Sequence, residues 1–224
     1  VRDNYWGGAP REAQRWYDSM VKALERKDWK IAVYDAGILS HYYTDPIHPF
    51  HTGQSEEETN IHRAVEWSIA KSYDDIWRIL ERSNEFPHVE LPDHENWLSE
   101  MVVEGAELAN GFYEDLIEHY NIDHGVKRPR EGLDRFSMEI LATLIGYATV
   151  GFSRILERAF QDANVQPPDT NVTLRGVLST LQIPVFWITR KLADDQERSV
   201  VEAMYEELRR TGQVEKTLSE DDRM

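Results

Sequence analysis

Four of the chain's eight histidines, His41, His48, His51 and His62, fall between positions 41 and 66, and Asp45 and Glu66 stand among them. Imidazole nitrogen and carboxylate oxygen together suit zinc and neighbouring divalent ions. Cysteine is absent, so any metal on this chain is held by nitrogen and oxygen donors alone. The spacing is helical: His41 and Asp45 are four apart, as are His62 and Glu66, which puts each pair on one helix face.

The flanking residues extend both pairs into longer stripes. Ile31, Tyr34, Ile38, His41 and Asp45 recur at helical spacing and read as an inward-facing stripe with a polar end. His62, Glu66, Ile69, Tyr73 and Ile76 read the same way in the opposite direction. Burying two carboxylates is costly unless each is paired or bound to a cation. Arg63 points about 100° away from His62 around the helix and serves neither carboxylate. A divalent cation resolves that cost. His51 follows the turn "PIHPF", whose two prolines stiffen a return that brings a third nitrogen towards the helical pairs. His48 departs from the stripe and is expected to support the site from outside or to face solvent. Without an ion, the same five residues would have to be packed as hydrogen-bonded ion pairs. His88, His94, His119 and His124 are read as ordinary core or surface histidines, and their acidic neighbours Asp93, Glu95 and Asp123 as solvated groups.

Helices must position these groups, and helices are the pattern throughout. A first helix opens at Pro10 and carries Trp16, Tyr17, Met20, Val21 and Leu24 on one face. A second runs from Trp29 until Pro46 ends it. A third spans about Glu56 to Ser83, with Val65, Ile69, Tyr73, Ile76 and Leu80 inward. A fourth is expected over roughly 95–121. A fifth, over about 131–163, is rich in small residues (Ala142, Gly146, Ala148, Gly151) that permit close helix approach. The break "NVQPPDTN" at 164–171 divides a helical metal-binding domain, 1–165, from a C-terminal helical extension, 166–224, with helices expected at about 172–191 and 193–211. No period-2 strand pattern of useful length occurs. The expected fold class is all-α.

Hydrophobic residues make up 41% of 224, enough for a filled core. The formal charge of −16 leaves no cationic surface to displace counterions, which disfavours duplex nucleic acid and anionic membranes as partners. No apolar run approaches the roughly 20 residues of a transmembrane helix, the longest candidate being 176–189 with Pro184 inside it. The chain begins at Val1 and stops within a polar run, and a piece of a longer protein is expected.

The order H-x3-D-x5-H followed by H-x3-E, within "GILSHYYTDPIHPFH" and "HRAVE", resembles the metal-binding core of the zinc-dependent phospholipase C family and its single-strand-specific nuclease relatives. That resemblance covers about residues 30–70. It implies an all-helical bundle in which Asp45 bridges a close pair of zinc ions, His41 binds one of them, and His51, His62 and Glu66 hold a third. It implies hydrolysis of phosphodiester bonds in lipid or nucleic-acid-like substrates by attack of metal-bound hydroxide on phosphorus, and export from the cell, while the net charge favours a small or lipid-like phosphodiester. The family's N-terminal tryptophan, and its Asp and His ligands upstream of the first helix, have no match: Trp6 is not N-terminal and no histidine precedes His41. Two other functions fit the same residues. One is a helical module whose single ion is purely structural, and the other is an interaction module docking through its acidic surface or the 193–211 helix.

Overall fold

The computed structural model describes residues 8–83, 86–167 and 184–218. Within them the chain forms helices α1 (Ala9–Glu25), α2 (Trp29–Thr44), α3 (Glu56–Ser83), α4 (Trp97–Asn110), α5 (Tyr113–Glu118), α6 (Ile122–Gly125), α7 (Arg135–Asp162) and α8 (Pro184–Thr211). Single 3-10 turns lie at Asp45–Ile47, Pro49–His51 and Pro129–Glu131. No strand occurs among the described residues, only an isolated bridge between Tyr120 and Leu133. The chain is all-α, as its periodicity indicates.

Two apolar clusters organise the helices. The first joins α1, α2, α4 and α7 through residues such as Tyr17, Met20, Leu39, Tyr43, Leu98, Met101, Leu144 and Ile155. The second joins α3, α5, α7 and α8 through Val65, Trp67, Ile76, Leu116, Leu141 and Val201. Only α7 is central to both. Its apolarity follows from that position: an 18-residue window reaches a mean hydropathy of 1.3, long and apolar enough by composition to cross a membrane. Among the described residues α7 is the one helix of that kind, and the 176–189 segment lies mostly outside them.

Close helix approach depends on glycine, as the small residues of α7 suggest. A Cβ at Gly146 would stand 2.9 Å from Leu80 Cδ1 of α3. A Cβ at Gly151 would stand 2.7 Å from Tyr43 Cζ of α2. These two contacts set the distance from α7 to the helices that carry the histidines.

Three expectations are corrected. The buried face of α2 is Ala32, Asp35, Leu39 and Tyr43, while Ile31 and Tyr34 are exposed. That face wins because Ala32 admits α1 closely, and Asp35, though buried, accepts a 2.7 Å hydrogen bond from Ser19 Oγ of α1. On α3, Ser68 and Ser72 are buried where Tyr73 was expected, and Tyr73 is half exposed. The expected helix over 95–121 is two helices, interrupted at Gly111 and Phe112, so the chain can turn Tyr113 and Leu116 into the second cluster.

The C-terminal part packs on α3. Arg63 Nε and Nη2 donate to the two carboxylate oxygens of Glu197 at 2.6 and 2.9 Å. Trp67 Nε1 donates to Asp194 Oδ1 at 3.2 Å. Beyond α8, Val214 N donates to Asn60 Oδ1 at 2.8 Å, and Glu207 accepts the backbone N–H groups of Lys216 and Thr217. The described α8 is one continuous helix from Pro184, with no junction near 192. The helix expected over 172–191 falls largely outside the described residues, as does part of the break at 164–171.

Candidate metal centre

The turn between α2 and α3 is fixed before its histidine is placed. Ile47 is buried against Gly105 of α4, where a Cβ would meet it at 2.8 Å. Pro49 and Phe50 are buried, and the Phe50 ring packs on Tyr113 and on the His62 ring, with centroids 5.9 and 5.6 Å apart. Asn110 Nδ2, at the end of α4, donates to Thr52 Oγ1 at 3.1 Å and Thr52 O at 3.3 Å. Proline-limited dihedrals and these contacts leave His51 little freedom.

His51 Nε2, His62 Nε2 and Glu66 Oε1 converge. His62 Nε2 lies 3.3 Å from Glu66 Oε1, and His51 Nε2 lies 3.5 Å from the same oxygen. One ligand atom from each of the three falls within 4.8 Å of the others. A tetrahedral ion with bonds of about 2.05 Å separates its ligand atoms by about 3.3 Å, close to the two distances to Glu66 Oε1. The donor set of two nitrogens and one oxygen fits zinc.

The other ring nitrogens are held from behind. His51 Nδ1 lies 2.9 Å from the Asp45 carbonyl oxygen and 3.2 Å from Asp45 Oδ1, and donates there. His62 Nδ1 donates to Glu58 Oε1, whose carboxylate is buried. A hydrogen-bonded Nδ1–H fixes the tautomer and aims the Nε2 lone pair outward, as metal-binding histidines require. Glu58 was not singled out from the sequence, although the pattern E-x3-H-x3-E over 58, 62 and 66 carries the signal.

Charge explains what the group does without an ion. Burial opposes protonation of His51, but its bonds to Asp45 and Glu66 outweigh burial and lift its pKa to about 10. Burial likewise opposes protonation of His62, and Glu58 with Glu66 lifts it to about 9. Burial raises Glu66, yet the two imidazoles hold it far below the usual carboxylate range. Asp45, raised by burial, is lowered by His51 to a net value below its ordinary one. Two protons thus occupy the place a divalent ion would take, and binding must release them.

His48 is neither a surface group nor part of the triad. Its Nδ1 accepts the Phe50 N–H at 3.2 Å, capping the turn, and its buried Nε2 has no hydrogen-bond partner. Its ring centroid stands 4.8 Å from that of His51 and 6.3 Å from that of His62. Burial and the neighbouring His51 charge push its pKa down to about 3, so it stays neutral. His41 and Asp45 stand at the rim: His41 is exposed, with Nδ1 3.9 Å from Asp45 Oδ1, and neither is among the three converging ligands. Elsewhere His94 pairs with Glu100, His119 with Asp134 and His88 with Glu90. Among the described residues, His51, His62 and Glu66 are the one group of three or more with metal-ligand spacing.

Compared with protein-family models, with curated proteins and with solved structures, the chain finds no match in any of the three.

Proposed function

We propose that the protein is a divalent-metal-dependent phosphodiester hydrolase of the phospholipase C type, acting on a small or lipid-like phosphodiester. The observation that carries this is the convergence of His51, His62 and Glu66 at ligand spacing beside the accessible Asp45 carboxylate. The H-x3-D-x5-H…H-x3-E order supports it. Held by His51, His62 and Glu66, a divalent ion would supply Lewis acidity for phosphodiester hydrolysis. The chain's own residues set the stage for it. Glu58 holds the tautomer of His62, Asp45 orients His51, and the side chains of Asp45 and Glu66 stay about two-fifths exposed, so a substrate reaches the site from solvent. The −16 charge of the chain favours short or lipid-like phosphodiesters over long polyanions.

A structural ion is the second reading. It is favoured because His51 comes from the turn and its partners come from α3, so one ion ties the two elements together. Elemental analysis of the purified protein, joined to hydrolysis of bis(p-nitrophenyl) phosphate by the wild type and His62→Ala, separates the two. Bound zinc with turnover, both lost in His62→Ala, supports the hydrolase. Bound zinc without turnover leaves the structural ion, and absence of any bound divalent ion removes both.

A further inference from the structure

His48 stands beside the three converging ligands without being one of them. Its ring lies nearly parallel to that of His62, at 22° and 6.3 Å between centroids, and 4.8 Å from that of His51. The Phe50 ring closes over it edge-on, centroids 5.7 Å apart. The Phe50 N–H donates to His48 Nδ1 at 3.2 Å, so that nitrogen carries the lone pair and the ring proton sits on Nε2. Nε2 is buried and has no hydrogen-bond partner. Leaving a buried N–H unpaired costs the desolvation of that group, and in a native fold it is a sign of a partner still to come.

The neighbouring side chains do not fill that place. Asp45 is engaged by His51, and Glu66 by His51 and His62. His48 does not compete for the ion either. It falls outside the set whose ligand atoms lie within 4.8 Å of one another, and its one lone pair is taken by Phe50. Three protein ligands leave a divalent ion one open position for an oxygen from outside. Around that oxygen the carboxylates of Asp45, Glu58 and Glu66 can only accept. His51 and His62 hold Asp45 and Glu58 through Nδ1 and would give Nε2 to the ion. The donor that remains among these residues is His48 Nε2–H. An acceptor oxygen arriving at the ion and a donor without an acceptor answer each other, and burial strengthens the bond between them.

We propose that His48 Nε2–H donates to an oxyanion bound at the metal centre, and so favours ligands that present an acceptor oxygen over nitrogen ligands that present none. The proposal deepens the hydrolase reading and rests on its metal site.

The test uses the whole chain loaded with cobalt(II), whose visible absorption reports on its ligands, and takes inorganic phosphate and imidazole as probes. Imidazole bound through one nitrogen turns an N–H outward and offers His48 nothing to donate to. In His48→Asn the side-chain oxygen still accepts the Phe50 N–H, as Asx turns do, while the Nε2–H is gone. This variant binds cobalt and imidazole as the wild type does and loses about tenfold or more in phosphate affinity. His48→Gln gives up the cap but carries its amide N–H further from the backbone, and keeps more phosphate affinity than His48→Asn. Phosphate affinity equal in wild type and His48→Asn overturns the proposal. So does an equal loss of phosphate and imidazole, the mark of a damaged site, or a wild-type protein that takes up no cobalt. Weaker phosphate binding in His48→Gln than in His48→Asn overturns it too, because the cap would then be what matters. Hydrolysis of bis(p-nitrophenyl) phosphate by a protein whose phosphate affinity ignores His48 rejects the donor and spares the hydrolase. Phosphate affinity that depends on His48, without hydrolysis, does the reverse.

Discussion

Glu58 lies one turn before His62 on α3, and its buried carboxylate accepts the Nδ1–H of that histidine. Ser55 Oγ accepts the Glu58 backbone N–H at 3.1 Å and caps the start of the helix. Through the Nδ1–H bond the carboxylate orients the His62 ring.

Replacing Glu58 with Gln should weaken zinc binding by about 10- to 100-fold, the usual cost of losing a supporting carboxylate. Titration against a chromophoric chelator measures this. Far-ultraviolet circular dichroism should be unchanged, because the amide still accepts from Nδ1. An affinity equal to wild type would mean that Glu58 does not govern His62.

Chelation should lower thermal stability. At free zinc about 100 times its dissociation constant, the ion contributes about 2.7 kcal/mol, which moves the melting temperature of a chain this size by roughly 5–10 °C. His62→Ala should melt at one temperature with and without zinc. A zinc-dependent shift that survives in His62→Ala would place the ion elsewhere.

The metal-free protein should lose stability as pH rises. His51 and His62 have folded pKa values of about 10 and about 9, above the ordinary 6.5. Their contribution is complete below 6.5 and is lost as pH climbs through 9 to 10. Glu66 and Asp45, both lowered on folding, contribute above the ordinary carboxylate range and lose that contribution on acidification. Melting in the presence of chelator should therefore peak at about pH 5–6. Zinc affinity should rise over the alkaline range, where the imidazoles shed their protons. Melting that improves steadily from pH 6 to 10 without metal would contradict the ion-paired cluster.

Gly151→Ala should destabilise by about 1–3 kcal/mol, because the new methyl group collides with the Tyr43 ring and hydroxyl in a packed core. The Tyr43 hydroxyl is buried without a partner, so Tyr43→Phe should be neutral or stabilising. Combining the two should recover part of the loss. Equilibrium urea unfolding of the three variants checks the set.

How far these features can be read from residues alone differs by position. Helix α3 is legible from Glu56 to Ser83, because its period is long and unbroken and Pro46 and Pro49 isolate it from α2. Helix α2 is legible in extent but not in orientation. Its true inner face carries an alanine and an aspartate, which no hydrophobic pattern selects, and Ser19 makes that aspartate acceptable only once α1 is in place. The interruption at Gly111 does carry a local signal, the turn-forming pair Asn110-Gly111, and beyond it Tyr113 packs into the second cluster. At the site, His51, His62 and Glu66 follow from spacing and proline stiffness. Glu58 is hidden among the three glutamates of the first turn of α3, where acidic residues are ordinary companions of the helix dipole. His48 could not be placed, because its burial comes from the whole turn closing over it.

Helix α7 belongs to both apolar clusters, touching Tyr43 of α2 through Gly151 and Leu80 of α3 through Gly146. Detaching it would open both at once, so neither cluster can melt while the other stays intact. The turn that carries His51 is strung between helices of these two clusters, and its geometry survives only while both do. Heating should therefore disperse the three ligands and the helices in one cooperative event, with no metal-loaded remnant left behind.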